Sequence, residues 1–385
     1  MSSRTRIIVM SISGPVIAFA VVGGLLGRVM AGEDTFQHLK VFDDVVGLIS
    51  TSYVEQAAAD KVMRGAMRGL ADGLDPDSAY LTSEQVKQVD SRTPPGAGDV
   101  GLQLTRQYYL RVIAARESSP AARAGLRSGD YIRMIGDLPT RDMSVWEGMR
   151  ALRGTPGSKV TVTVIRGSAA DPHVVELARQ AMPASDVRSR IARPGVGYLR
   201  VAAVGPETAG AAKTQIADLV KNSAARLVVD VRQTSTGELD DGLQLARLFV
   251  GKGTLAVRAE SGNVRNTISG GPGDGAVALP AVVLIDSGTS AAAELFAAVL
   301  SGNGRADLVG ERTIGRTAIQ RLMKLPDGSG MWLSTAHYLM PNGSPLHEKG
   351  LEPAIAVGEP DVEFGQTPPA GDSMLDRAIE HLAAK

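Results

Sequence analysis

The chain begins with an apolar run that carries no charge, Ile7 to Gly27, preceded by Arg4 and Arg6. A run of that length spans the hydrocarbon core of a bilayer as a helix. The two arginines orient it with the N-terminus inside and the rest of the chain exported. Residues 1–33 are therefore expected to be a membrane anchor. The alternative is a cleaved signal peptide, because Val29-Met30-Ala31 has the small-residue pattern of a cleavage site. Helical spacing then runs through Phe36, Leu39, Phe42, Val45, Val46 and Ile49, followed by helical patterns at Ala59 to Leu70 and from Ser83 to about Val89. Residues 34–93 thus form a helical region. A linker over Thr93 to Gly98 ends it.

The pattern changes after the linker. Pro120 starts a short helix that Gly125 closes, and Gly129-Asp130 turns into a strand over Tyr131 to Ile135. Ser144 to Leu152 reads as a helix and Val160 to Ile165 as a strand. A charged connection leads to alternating elements: strands from Val196, Leu227, Ala281 and Asp307, with helices at Glu207 to Lys221, Gly242 to Val250 and Ala291 to Leu300. Ala281 to Ile285 is apolar throughout, as a parallel strand covered on both faces must be. Gly288 breaks it, and Thr289 or Ser290 is expected to cap the next helix. The glycine-rich stretch Ala259 to Ala278 is predicted to be a long surface loop. Met331 to Tyr338 is a strand, and a linker and a short helix from Met374 complete residues 359–385. The alternation predicts an α/β core over 184–358.

Composition narrows the function by exclusion. The 385 residues carry 41 basic and 41 acidic side chains, a balance that does not suggest a nucleic-acid binder. Cysteine is absent, so disulfides, thiolate metal sites and cysteine nucleophiles are excluded. No His pair stands at helical spacing beside a glutamate, so no metal and no other cofactor is expected.

The strand, tight turn and helix start around residue 290 make a place for a nucleophile. A helix N-terminus offers free N–H groups and a positive dipole end to a developing oxyanion. Asp286 to Glu294 reads DSGTSAAAE, and Gly310 to Gln320 reads GERTIGRTAIQ. This frame resembles the C-terminal processing peptidases, or tail-specific proteases, which are serine peptidases with a Ser/Lys dyad. Their pattern is close to N-x-G-S/T-A-S-A-S-E and then G-E-R-T-F-G-K-G-x-x-Q. By that resemblance the nucleophile falls on Ala291 and the general base on Arg316, while the supporting glutamine survives as Gln320. Leu74 to Leu81, LDPDSAYL, resembles the family's LDPHSSYL. It is read as turn and packing chemistry, without a catalytic role for Asp75 or Asp77. The family's L-R-x-N-P-G-G oxyanion turn is here Val231 to Gly237, with Thr236 before Gly237 where the family has Gly-Gly.

Residues 97–168 resemble a PDZ domain, most clearly at SPAARAGLRSGDYIRMIGD from Ser119. PDZ domains bind peptide C-termini by strand addition. The resemblance puts the carboxylate loop at Asp99-Val100-Gly101-Leu102, with Asp99 in a place where the family prefers glycine. The alternative is a PDZ fold kept as a spacer.

Arginine stays protonated in proteins, with a pKa above ~12, so Arg316 cannot act as a base. It is suited to holding a carboxylate, with Glu294 or a bound peptide terminus as partner. Ser290 is one residue early and is read as a helix cap, with a relocated nucleophile as the alternative. The expectation is an exported, membrane-anchored pseudopeptidase of the cytoplasmic membrane, its main domain outside the cytoplasm (periplasmic in a Gram-negative cell). It binds peptide or protein C-termini, as an oligomer or as an adaptor to another envelope protein. The other reading is a working serine endopeptidase with a rearranged site at Ser290.

Overall fold

A computed structural model describes residues 37–55, 58–91, 95–167, 171–360, 362–366 and 370–384. The apolar run Ile7 to Gly27 lies outside the described residues. Among the described residues no helix is long and apolar enough to cross a membrane. The chain divides into two compact units, Met1–Leu70 and Ala71–Lys385. In the first, a helix covers residues 37–52 and leaves Leu39, Phe42, Val45 and Leu48 exposed. The helix Ala59–Asp72 crosses the boundary between the two units.

The second unit is built on a six-stranded sheet in the order Asp186–Arg193, Val196–Ala203, Arg226–Asp230, Ala281–Ile285, Ala306–Gly310, Ile355–Ala356. The first pair is antiparallel and the rest are parallel. Both faces are covered. Leu199, Val201, Leu227, Val229, Val283 and Ile285 pack with the helices Thr208–Lys221, Leu239–Arg247 and Ala291–Gly302. Val228, Val282, Leu284 and Val309 pack with Met374, Leu375, Ala378, Ile379 and Leu382 of the final helix Ser373–Ala384. That two-sided cover is why Ala281–Ile285 is apolar at every position and buried throughout.

Two expectations are corrected. The charged connection contains the strand Asp186–Arg193, a sheet edge whose outward side is polar. The predicted surface loop, Ala259 to Ala278, contains the strand Val264–Ser269, which pairs with Thr254–Glu260, a strand that ends just inside the predicted loop. Val264–Ser269 is exposed along nearly its whole length, so it lacks the buried alternation that marks a strand in sequence. These two join a second sheet with Ala79–Leu81 and Gly330–Leu339, on which Ala318–Lys324 also pairs.

The remaining domain is an antiparallel sheet in the order Leu102–Gln107, Tyr109–Ala115, Tyr131–Ile135, Lys159–Ile165, His173–Ala178. Leu102–Gln107 is its edge, next to the helix Val145–Leu152. Ser119 Oγ accepts from Ala122 N–H at 3.1 Å to start the short helix Pro120–Arg123. A capping box of Ser144 and Glu147 starts the helix Val145–Leu152.

Candidate active site and peptide groove

The strand Ala281–Ile285 delivers the turn 286–290, and buried side chains fix that turn. The Asp286 carboxylate accepts from Gln233 N–H at 2.9 Å, Gln233 Nε2 at 2.6 Å and Gly288 N–H at 3.0 Å. Burial pushes its carboxyl above the ordinary value even so. Thr289 Oγ1 lies 3.0 Å from Val231 O and accepts from Asp286 N–H at 3.1 Å, so it faces the strand ends and not the helix. Ser290 occupies the N-cap position, yet its side chain makes no cap bond. The expected cap is therefore absent: the Ser290 hydroxyl is fully buried and has no hydrogen-bond partner among the described residues. Its backbone N–H donates to Thr234 O at 3.0 Å, which joins the helix start to the 231–237 turn.

Ala291 follows with φ 53°. L-residues with a Cβ are disfavoured there, and such strain collects at functional sites. One turn on, the buried Glu294 reaches the 310–320 loop. It accepts from Gly315 N–H at 2.7 Å, from Arg316 N–H at 2.6 Å and from the Thr313 hydroxyl. Thr313 Oγ1 in turn accepts from Leu351 N–H at 2.8 Å. Burial pushes the Glu294 carboxyl up to about 7, against the pull of these donors. Gly315 has φ 79°, and a Cβ there would stand 2.5 Å from Gly350 N and 2.6 Å from Leu346 O. The helix that begins at Ala291 and the loop that carries Arg316 are thus held together through backbone.

The guanidinium of Arg316 does not go to Glu294, which corrects the expected partner: Glu294 holds only the backbone of Arg316. Nε and Nη2 of Arg316 meet Oδ2 and Oδ1 of Asp77 at 2.9 and 2.6 Å, a two-pronged pair. Nη1 donates to Leu104 O at 3.2 Å. Asp77 is 8% exposed and Arg316 21%. The turn reading holds for Asp75, whose carboxylate accepts from Asp77 N–H at 2.8 Å and Ser78 N–H at 2.7 Å. It misses Asp77. The signal was in the sequence: Asp77 stands where the family segment has His, and Arg316 where it has Lys. Gln320 lines a cavity of ≈ 460 Å³ with Asp77, Arg316, Trp146 and Trp332. His347 Nδ1 lies 3.4 Å from Thr317 N, the residue after Arg316, and its ring stacks on His337 at 5.7 Å.

Leu104 belongs to the edge strand Leu102–Gln107, so the contact from Arg316 takes a backbone acceptor that strand addition would use. The carboxylate loop is also engaged. Asp99 Oδ1 accepts from Gly101 N–H at 2.8 Å, and Oδ2 lies 3.2 Å from Arg153 Nε. A carboxylate of the chain itself thus takes a loop N–H that a peptide terminus would need. Gly101 has φ 81°, and a Cβ there would come within 2.2 Å of Ser119 Cβ. The loop faces the 231–237 turn across a cavity of ≈ 500 Å³ that Leu102, Thr236 and Gly237 also line. In that turn Thr236 Oγ1 accepts from Val204 N–H at 3.2 Å, and Gly237 packs where a Cβ would meet Val204 O at 2.5 Å. Contacts that bring this domain onto the core include Arg316 Nη1 to Leu104 O, Arg200 Nε to Glu117 Oε2 at 3.0 Å, Ser128 Oγ to Ser287 Oγ at 2.9 Å and Ala115 N to Gln233 Oε1 at 3.4 Å. Among the described residues no group of three or more His, Cys, Asp or Glu side chains is placed to hold a metal ion.

Comparison with known proteins agrees with this architecture. Residues 195–357 match peptidase family S41, and residues 111–166 match a PDZ domain. The chain is 27% identical over 342 residues to the carboxy-terminal processing protease CtpA of Bacillus subtilis, covering 88% of this chain and 72% of that protein. It is 29% identical over 315 residues to the carboxyl-terminal-processing protease of Synechocystis, covering 80% and 74%. A solved photosystem II D1 C-terminal processing protease superposes with a TM-score of 0.68 at 26% identity, over 82% of this chain and 92% of that one.

Proposed function

We propose that this chain, which belongs to peptidase family S41 and carries a PDZ domain, is a catalytically silent relative of the carboxy-terminal processing proteases that acts by binding protein segments. The observation that carries the reading is the pairing of Arg316 with Asp77. The group at the base position is a permanent cation held by a carboxylate, so it has no lone pair for a serine proton. The first residue of the helix, Ala291, stands at the nucleophile position and has no hydroxyl. The neighbouring Ser290 hydroxyl is buried, and no base faces it among the described residues.

Binding is the activity that the remaining features support. The PDZ domain keeps its fold and its edge strand, although Asp99 holds a loop N–H and Arg316 an edge-strand carbonyl, and the helix over residues 37–52 leaves an apolar row exposed for an oligomer or a partner protein. The arginines before the apolar run support placement in the cytoplasmic membrane, with the binding domains outside the cytoplasm.

The test is turnover. The purified protein, incubated with a disordered protein substrate, is expected to release no fragments, and the Ser290→Ala variant is expected to behave identically. Fragments that vanish in Ser290→Ala would reveal a relocated nucleophile and overturn the proposal.

A further inference from the structure

The PDZ domain is gripped at both edges of its sheet. At the edge strand Leu102–Gln107, Leu104 O accepts from Arg316, and Trp146 of the neighbouring helix packs on the cluster of Ala79, Leu81 and Val86, as Trp332 does. The opposite edge is the strand His173–Ala178. There the His173 ring stacks on Phe364 with centroids 4.4 Å apart and planes 11° from parallel. The Arg166 guanidinium lies over the same ring at 5.0 Å. Phe364 comes after the last strand of the core, yet it packs with the apolar cluster of the PDZ domain. Every other member of that cluster lies between Val100 and Leu177.

Arg166 is itself fixed. Its Nε and Nη2 meet the two oxygens of the buried Asp130 at 2.7 and 2.8 Å, Nη2 also donates to Gly125 O at 2.6 Å, and Nη1 donates to Val362 O at 3.3 Å. A planar guanidinium held at these points offers a rigid face to an aromatic ring. Val362, two residues before Phe364, is buried. The chain is pinned to the core on either side of this contact. At Glu359 the backbone N–H donates to Glu311 Oε1 at 2.8 Å. At Asp372 the carboxylate takes Nη1 and Nη2 of Arg232 at 2.9 and 2.6 Å. Arg232 lies in the 231–237 turn, and its Nη2 also reaches Asp230 Oδ2 at 2.6 Å.

A contact at one edge leaves a domain free to turn about it, and a second grip at the far edge removes that rotation. The contacts between the two edges, at Ala115, Glu117 and Ser128, are polar bonds of small net worth. A ring stacked between an imidazole and a guanidinium holds more firmly. We propose that Val362–Phe364 is a strap that locks the PDZ domain in one place on the core, and that its anchor at Asp372 ties that place to the 231–237 turn. Release of the Phe364 ring lets the domain turn about the grip at Trp146 and Arg316. The strap acts in this way whether or not the elbow is catalytically silent.

The chain has no cysteine, so a pair of spin labels can be added without removing one. Leu138→Cys on the PDZ domain and Val220→Cys on the helix Thr208–Lys221 use exposed positions. The distance between the labels is read in the full-length protein by double electron–electron resonance. One narrow peak is expected. Phe364→Ala is expected to raise the population outside that peak about tenfold or more, the scale of a lost aromatic stack together with its cation–π contact. His173→Ala removes the stack alone and is expected to raise it about two- to tenfold. Phe364→Tyr keeps the ring and is expected to keep the narrow peak. Asp372→Asn acts from the core end and is expected to raise the outlying population about two- to fivefold, the scale of a partly exposed ion pair.

A broad distribution in the otherwise unmodified protein would overturn the lock, and so would an unchanged peak in Phe364→Ala. Broadening in Phe364→Tyr equal to that in Phe364→Ala would show a general disturbance of the segment and not the loss of a stacked ring, which also overturns it. An unchanged peak in Asp372→Asn would overturn the tie to the 231–237 turn. Circular dichroism melting of each variant reports whether it folds. If Phe364→Ala unfolds the PDZ domain, His173→Ala decides, and an unchanged peak there overturns the strap.

Discussion

The elbow at Ala291 and the carboxylate loop at Asp99 have both lost the use their backbones imply, and in opposite ways. At the elbow the frame is intact and the functional atoms are missing. Ala291 keeps φ 53°, and Glu294 still ties the helix to the loop of Arg316. At the carboxylate loop the backbone donor is present, and a side chain of the chain itself uses it. The first site is emptied and the second is filled. An emptied site needs groups added before it works. A filled one needs a group removed. The base position combines the two, because Arg316 is both the wrong group and a partner already held by Asp77 and Leu104 O.

That combination sets the largest expected effect. Ala291→Ser with Arg316→Lys restores the family's two side chains, yet the new lysine would lie beside Asp77. An opposite charge at that range raises a lysine pKa by about 1–3 units and keeps it protonated. The double variant is therefore expected to remain at background in a peptide-cleavage assay. Adding Asp77→Asn, which removes the charge and keeps the shape, is expected to raise the rate by roughly 10- to 1,000-fold, following the same 1–3 units. The result stays below that of an intact family member, because one missing oxyanion donor costs about 10²–10³. A double variant as active as the triple would show that Asp77 does not hold the base position charged.

The filled loop predicts the opposite kind of variant, in which removal creates function. Asp99→Ala frees the Gly101 N–H and releases Arg153. Affinity for free-acid peptides is expected to rise about 10- to 100-fold, as a hydrogen bond to a charged group contributes ~1.5–3 kcal/mol. Affinity for amidated peptides should hardly move, and titration of both peptide forms against the variant checks this. No gain for the acids would mean that Asp99 does not compete for the loop.

Much of this could be read in the sequence where burial leaves a pattern. Ala281–Ile285 and Tyr131–Ile135 begin and end where the sequence places them. The helix Ala291–Gly302 was legible because nearly every position faces the core. Strands with a solvent face were not legible, since Asp186–Arg193 and Val264–Ser269 alternate too little to stand out from connections. The frame of the site was legible through its glycines and Glu294. The partner of Arg316 was legible only as two separate departures from the family pattern, at Asp77 and at Arg316; that the two meet is decided by the fold, because they lie 239 residues apart along the chain. The Ser290 cap failed for a related reason. The residue type was right for a cap, and the crowded turn gave the hydroxyl no N–H to accept from.

The smallest effect tests how far the elbow frame depends on Glu294. Its carboxyl is raised from 4.5 to about 7, with burial as the main cause. Between those two values the folded chain binds more protons than the unfolded one, so this group makes stability fall as pH rises through that window. Above pH 7 both states are ionised and the cost is fully present. Below 4.5 both are protonated and it is absent. His337, pushed down by burial and then by His347, acts with the opposite sign just below 6.5, so the slope of the unmodified protein alone does not isolate Glu294. Glu294→Gln does. Glutamine cannot titrate, and it offers only one oxygen to Gly315, Arg316 and Thr313, so the variant starts from a lower baseline. Its melting temperature should nevertheless lose less between pH 5 and pH 8 than that of the unmodified protein. Parallel melting curves for the two proteins across that range would mean that Glu294 stays ionised in the fold, with its three donors outweighing burial.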